Sequence, residues 1–463
     1  MAQARSAASA HTAPHVQVIA PAPLGATAIE ALAARGITAR SVAEPNVSDD
    51  VIAWALEAPP TVAAAAHLAT ACARAAAAGR PLCLCAPAPR GTGRPALERA
   101  AALAYLRAHG AALAHDVDAW LEAVVLLVRF GLPDGPRAAV IAPAGSWLEA
   151  QAAALAGEDV RPVAGTDEPT DVVLYDPALG PPPRSTPGLH VPVVARGELG
   201  DGSATLLGAR AALGAVALLG RAAERIAVGL GPAPRTAAAE LAVDQERLQR
   251  QLAKLAGTRI GDHETKVLLA AYGVPITRQA VATTPSAAVK LARRAGYPVE
   301  IKPWGHDLAT EPAGCPVERN ITSDALVRQA FASVLAAAGK GAADGNAVIV
   351  RETPPPGRDV LVHLLELPAL GWTVVLDAPG APGLAAAPAP LRLVDAEALA
   401  AHVVASRASD PEPDRSGLAN VLRRASHLVV DLEERLASLE LPRIVVGGRG
   451  ARTLVVDAAA TLR

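Results

Sequence analysis

Residues 263–278, HETKVLLAAYGVPITR, and residues 291–302, LARRAGYPVEIK, decide how the C-terminal half of this chain is read. Taken with the residues around them, 261–305, they spell helix, turn, strand, helix, turn, strand. Lys302 falls at the end of the second predicted strand, beside Pro303 and Trp304. A lysine at a strand end is either a solvated edge residue or a cation placed for a phosphate. Glu264 and Lys266 stand two apart on the first helix, so they do not face each other and read as surface charge.

Downstream, 346–367 (NAVIVRETPPPGRDVLVHLLEL) and 371–378 (GWTVVLDA) predict an antiparallel meander. A helix over 418–440 and two strands, PRIVVGG (442–448) and ARTLVVDAA (451–459), complete an α+β region. The GGRG at 447–450 reads as the turn of that last hairpin rather than a phosphate nest. Upstream, a charged amphipathic helix is expected over 237–257, after the Pro/Gly-rich join GLGPAPR at 229–235.

The N-terminal half alternates strands and helices, which implies parallel sheets covered on both faces. VQVIAPAP (16–23) reads as a strand, GATAIEALAARG (25–36) as a helix capped by Gly36, and ITARSVAEPN (37–46) as a strand. Ser48, Asp50 and Val51 look like a helix start. The helix 61–79, the strand RPLCLCAP (80–87) and helices over 94–110 and 116–131 close a first unit. A second begins with the strand 136–145 and the helix 146–157. It continues with a strand or edge at 158–165, strands at 170–178 and 190–197, and a buried amphipathic helix over 204–226. The expected organisation is a tail over 1–14, α/β units over 15–131 and 132–235, a linker helix over 236–257 and an α+β domain over 258–463.

Composition narrows the function. The chain has 463 residues, 51% of them hydrophobic and 2% aromatic, with a net charge of −2. Neither a basic surface for phosphate backbones nor a stacking platform for bases is indicated, so no nucleic-acid partner is expected. No uninterrupted apolar stretch long enough to span a bilayer is evident, and the start lacks an apolar signal core. Cys83 and Cys85 fall on one face of a buried strand and read as small hydrophobes. With four cysteines and no disulfide scaffold, a reducing cytoplasm is expected.

The 263–302 pattern resembles the entry to the ATP-grasp part of NDP-forming acyl-CoA synthetases, relatives of succinyl-CoA ligase. That family has a Glu-x-Lys helix, a Tyr-Gly-Ile-Pro turn and a Gly-Tyr-Pro-Val strand ending in Lys. Here the matching residues are Glu264 and Lys266, Tyr272–Pro275, and Gly296–Val299 with Lys302. The resemblance extends diffusely over 15–463. It implies an α/β fold of two flavodoxin-like CoA-ligase subdomains followed by an ATP-grasp domain, without the family's N-terminal CoA-binding domain. It also implies joining a carboxylic acid to CoA at the expense of ATP, with ATP or ADP and CoA or acyl-CoA as ligands. By resemblance Lys302 and Lys266 serve the nucleotide, and Glu352 and Asp359 take the polar positions beside its adenine pocket. His306, next to Asp307, is the one candidate catalytic base. The family works as multi-subunit assemblies, so a homo-oligomer or a complex with a related subunit is expected.

The sequence departs from the family at the chemistry. Mg²⁺ takes oxygen ligands, yet Ala437, Leu439 and Leu441 stand at the three ligand positions ahead of Pro442, and Glu440 is one residue out of register. Asp377 is the only carboxylate in the glycine-rich stretch 376–393 that should supply another. No histidine occurs in 86–101, where the family carries its phosphohistidine loop, and His109 reads as a helix-end residue. The sequence therefore supports two functions: an ADP-forming acyl-CoA synthetase-like ligase, or a non-catalytic structural or regulatory relative that retains nucleotide binding.

Overall fold

The computed structural model describes residues 15–46, 50–155, 161–162, 169–182, 186–195, 205–235, 240–255, 259–305, 316–338, 347–381, 383–403, 412–448 and 451–463. They divide into two compact units, Met1–Arg90 with Ala102–Gly231, and Gly91–Ala101 with Pro232–Arg463.

The first unit contains two parallel five-stranded sheets. Strands β1 (Val16–Ile19), β2 (Ala39–Ser41), β3 (Val51–Ala55), β4 (Cys83–Cys85) and β5 (Ala112–Ala114) form the first, in the order β2-β1-β3-β4-β5. Strands β6 (Arg137–Ile141), β7 (Arg161–Pro162), β8 (Val172–Tyr175), β9 (Leu189–Val194) and β10 (Leu206–Leu207) form the second, in the order β7-β6-β8-β9-β10. Numbered from its own first strand, each sheet has the flavodoxin order 2-1-3-4-5. Helices α1 (Ala22–Ala33), α2 (Val62–Ala77), α3 (Arg94–Ala108), α4 (Val117–Arg129), α5 (Trp147–Leu155) and α6 (Ala209–Val228) supply the crossovers. Helices α4 and α6 pack on each other and each touches strands of both sheets, so the two layers share one core.

Two sequence expectations fail here for local reasons. Val51–Ala55 is a strand and not the start of a helix, because the run VIAWA is buried almost throughout. Asp50, read as a capping residue, instead accepts from Gln17 Nε2 at 3.0 Å and Arg40 Nη2 at 3.2 Å. The helix expected over 204–226 is preceded by β10, and the positive φ of Gly208 turns the chain from strand into α6. Cys83 and Cys85 lie as expected, while Cys315 falls outside the described residues. Cys83 and Cys85 are buried in the shared core, and burial pushes their thiols up to about 12 and about 11.

The second unit pairs a helix-covered four-stranded sheet with a larger six-stranded one. Its elements are α7 (Gln245–Leu252), β11 (Arg259–Ile260), α8 (Asp262–Ala271), β12 (Gln279–Ala282), α9 (Pro285–Ala295), β13 (Val299–Pro303), β14 (Glu318–Ile321), α10 (Asp324–Ala338), β15 (Val348–Glu352), β16 (Arg358–Leu367), β17 (Gly371–Asp377), β18 (Ala385–Pro388), α11 (Leu393–Ala400), α12 (Arg415–Asp431), β19 (Leu436–Val446) and β20 (Leu454–Leu462). The small sheet is antiparallel, ordered β12-β15-β13-β14, with α9 and α10 on its apolar face. The large sheet is antiparallel in the order β11-β20-β19-β16-β17-β18, and α8, α11 and α12 contribute to its core.

Three expectations are corrected. Strand β15 does not pair with β16; it joins the small sheet between β12 and β13, leaving β16–β17 as the hairpin. Helix α12 stops at Asp431, and the residues expected to prolong it open β19, where Leu439 and Leu441 face the core and Glu440 faces away. Among the described residues the charged helix spans Gln245–Leu252, and its start is fixed by the Asp244 side chain, which accepts from Arg247 N at 2.9 Å.

Candidate functional site

The two lysines singled out by the sequence meet. Lys266 lies on α8 and Lys302 on β13, and both are buried, at 0% and 3% exposure. Reading Lys266 as surface charge, or Lys302 as a solvated strand end, is therefore corrected; Glu264 is half-buried and accepts from Trp304 Nε1 at 3.1 Å. Burying an ammonium is tolerated only with compensating acceptors, and each lysine has them. Lys302 Nζ donates to Asp457 Oδ1 on β20 and lies 3.1 Å from Asp262 Oδ2. Lys266 Nζ donates to Thr277 Oγ1 (3.1 Å), Gln279 Oε1 (2.7 Å) and Val456 O, and pairs one helical turn back with Asp262 Oδ1 at 3.3 Å.

Arg351 and Glu300 extend the group. They face each other across the β13–β15 ladder, with Arg351 Nε and Nη2 on Glu300 Oε2 at 2.7 and 2.6 Å. Arg351 Nη1 reaches Asp457 Oδ1 at 2.9 Å and Val456 O at 3.2 Å. Asp262 takes two more bonds, from Ala458 N (2.9 Å) and Gln279 Nε2 (3.1 Å). Lys266, Lys302 and Arg351 thus balance Asp262, Glu300 and Asp457 in a formally neutral network. The network ties α8, the small sheet and β20 together.

The electrostatics follow from that balance. Burial alone would raise Asp262, but Lys266, Lys302 and Arg351 overcome it and hold the carboxyl below its ordinary range. Asp457 behaves alike: burial raises it, and Lys302 and Arg351 bring it down further than burial lifts it. Lys266 is pushed down to about 8, chiefly by burial, which Asp262 only partly offsets. For Lys302 burial lowers the value, but Asp262 and Asp457 prevail and leave it raised. One atom is left over: Asp457 Oδ2 is buried without a hydrogen-bond partner.

The other described sequence candidates have their own partners outside this cluster. Glu352, at the end of β15, binds Arg278 through N and Nε at 2.9 and 2.7 Å. Asp359 is exposed on β16 and accepts from Arg443 Nε at 3.1 Å. His306 and Asp307 fall outside the described residues. His109 follows α3, as a helix-end histidine should, with Nδ1 2.8 Å from Tyr105 O. On β19, Leu439 and Leu441 are 1% and 0% exposed and belong to the hydrophobic core. With Ala437 beside them, these positions have no side-chain oxygen and do not fit a Mg²⁺ ion. The sequence reading missed Asp262, Glu300, Arg351 and Asp457. Their signal was present: an Asp within LVVDAAA, and a Glu and an Arg within PVEIK and VIVRE, are charges in strands too apolar to be surface.

Residues 251–462 match the sequence profile of the ATP-grasp domain. The chain is 26% identical over 218 residues to the acetate–CoA ligase (ADP-forming) II subunit beta of Pyrococcus furiosus, covering 44% of this chain and 92% of that protein. It is 31% identical over 125 residues to the acetate–CoA ligase (ADP-forming) I subunit beta of the same organism, covering 27% of this chain and 54% of that one. Among solved structures, a Ca. Korarchaeum cryptofilum acetyl-coenzyme A synthetase 1 in complex with coenzyme A, Ca-AMPCP and HgCl+ is 25% identical. That match has a TM-score of 0.42 and covers 48% of this chain and 100% of the other. The C-terminal half of the chain is an ATP-grasp domain. Two sheets of flavodoxin strand order precede that region, and the curated proteins the chain resembles are beta subunits of ADP-forming acetate–CoA ligases.

Proposed function

We propose that this chain binds a nucleotide weakly through its ATP-grasp domain, with Lys302 and Lys266 as the phosphate cations. We further propose that on its own it does not complete acyl-CoA synthesis. The observation that carries this reading is the pairing of Lys302: its ammonium is sealed from solvent and engaged by two carboxylates. A phosphate must compete with both. The β19 positions that would ligate Mg²⁺ are core leucines, and losing a charge stabiliser of a transition state costs about 10²–10³ in rate. Glu352 and Asp359 remain the adenine-side candidates. His306 remains the candidate base.

The domain organisation of 15–131, 132–235, a 236–257 linker and 258–463 accompanies this reading, as do a cytoplasmic site and assembly as a homo-oligomer or with a related subunit. CoA or acyl-CoA is the second ligand class. Among the described residues no helix is long and apolar enough to cross a membrane.

Calorimetry with ATP, ADP and CoA, each with and without Mg²⁺, is the direct test. Millimolar ATP affinity that falls further in Lys302→Ala supports the reading. No binding at millimolar ATP, or affinity indifferent to Lys302→Ala, defeats it. ADP release dependent on acid and CoA, at ordinary turnover by the chain alone, would overturn the second half.

A further inference from the structure

We propose that Asp457 is an internal competitor for phosphate: a carboxylate that occupies Lys302 and keeps the nucleotide site of this chain in a self-neutralised state. The inference rests on the nucleotide-binding reading above and specifies what limits it.

Three observations converge on Asp457. It is the residue shared between Lys302 and Arg351, both of which reach its Oδ1. It comes from β20 in the large sheet, whereas both of those cations come from the small sheet. Finally, its Oδ2 is buried and accepts no hydrogen bond. An ionised carboxylate can accept at both oxygens, and here one buried oxygen has no donor, so both cations crowd onto Oδ1 while Oδ2 goes unused. Asp457 is thus the least satisfied anion of the network.

Asp262 is its opposite. Both Asp262 oxygens are used, by Ala458 N and Lys266 on one side and by Gln279 Nε2 and Lys302 on the other. Lys266 is likewise saturated by its four acceptors. An anion entering this cluster can therefore gain most at Lys302, and the group it must replace there is Asp457. A phosphate oxygen offers Lys302 the same charge-assisted bond. While Asp457 is in place, the three buried cations are matched by three buried carboxylates, with only the exposed Arg319 beyond them at 4.0 Å from Glu300 Oε1, so the buried cluster offers a polyanion little net charge. Neutralising Asp457 leaves it with one excess positive charge.

The test uses the full chain. Asp457→Asn keeps size and shape while removing the charge. Binding of ATP and of inorganic triphosphate is measured by calorimetry for wild type, Asp457→Asn, Asp457→Ser and the double variant Asp457→Asn with Lys302→Ala. The expected result is at least ten-fold tighter binding of both probes by the Asp457 variants, with the gain abolished in the double variant. Hydrogen–deuterium exchange on wild type at saturating ATP supplies the readout that needs no variant. Protection at 299–303 and 454–458 should change together. Lys302-dependent ATP binding by wild type that is unchanged or weakened in folded Asp457→Asn overturns the inference and leaves the nucleotide reading standing. Absence of binding in wild type and in every folded Asp457 variant overturns both. Bound ATP with unaltered exchange at those two segments places the nucleotide elsewhere and also overturns the inference.

Discussion

The two units of this chain bury charge in different ways. The first holds an isolated pair, Arg35 with Glu122, bidentate at 2.9 and 2.5 Å and set within an alanine-, valine- and leucine-rich helical core. The second holds six ionised groups, most of them contacting more than one neighbour. An isolated buried pair is replaceable in principle, because the attraction between its members roughly offsets their joint desolvation. A network is not, because removing any member strands several others. The contrast is between a pair that can be exchanged as a unit and a network in which most members have several partners.

The largest test of that contrast is Asp262→Ala. It leaves Lys266 and Lys302 short of a counter-ion and frees Ala458 N and Gln279 Nε2. The expected loss is about 3–5 kcal/mol, the range for breaking a buried pair, measured as a shift in the urea midpoint. A loss below about 1 kcal/mol, the range of exposed pairs, would mean that the cluster is solvated and not the sealed network described.

Acid should expose the same network next. The folded-state values of Asp262 and Asp457 lie below their ordinary ones, so the unfolded chain takes up protons first as pH falls. Their contribution is fully present above about pH 4, near the unfolded aspartate value, and is lost as pH descends through the folded values. Thermal unfolding between pH 5 and pH 2 should show a steep decline in wild type and a shallower one in Asp457→Asn. Equal slopes would remove Asp457 from the acid response.

Leu441→Ala sharpens the comparison within the second unit. Leu441 is fully buried in the core that β19 lines, so truncation should cost about 2–5 kcal/mol, read from urea unfolding. Leu441→Asn should cost no less, since it places an amide among apolar side chains. A neutral outcome for Leu441→Asn would show that the position still tolerates a polar, ligand-like side chain.

Much of this architecture was legible in the sequence, and the failures have specific causes. The alternation of strands and helices before residue 230 predicted parallel sheets, and both sheets are parallel with flavodoxin order. The 263–302 pattern predicted helix, strand, helix and strand, and α8, β12, α9 and β13 follow in that order. Errors arose where a local signal met a tertiary demand. Ser48 and Asp50 resemble a cap, but Val51–Ala55 is needed inside the sheet. Leu436–Glu440 continues a helical run, but pairing with β16 and β20 makes it a strand. At the site, Lys266 and Lys302 were visible because a motif carried them. The pairing of Lys302 with Asp457 was not, since the 155 residues between them leave no local pattern; Asp457 carried only the signal of a charge in an apolar strand, and Asp262 only its place one helical turn before Lys266.

The smallest expected effect is that of a double variant in the first unit, and it completes the contrast. Burial raises Glu122, and Arg35 only partly brings it back, so this carboxylate is held at a desolvation cost. Glu122→Leu alone should destabilise by about 3–5 kcal/mol, because it strands the Arg35 guanidinium. Adding Arg35→Met removes that stranded charge. What then persists is the loss of the acceptor for Leu207 N, now 3.0 Å from Glu122 Oε2, worth about 1–3 kcal/mol when a buried donor is left unmet, less whatever desolvation relief the two apolar side chains return. The double variant should therefore unfold within about 2 kcal/mol of wild type, well above the single Glu122→Leu. The corresponding double replacement in the second unit, Lys302→Met with Asp457→Leu, should recover little over either single variant, because Arg351 and Asp262 each lose a partner. Equal recovery in both units would mean that the second cluster is a set of independent pairs. Recovery confined to the first would establish it as one cooperative centre.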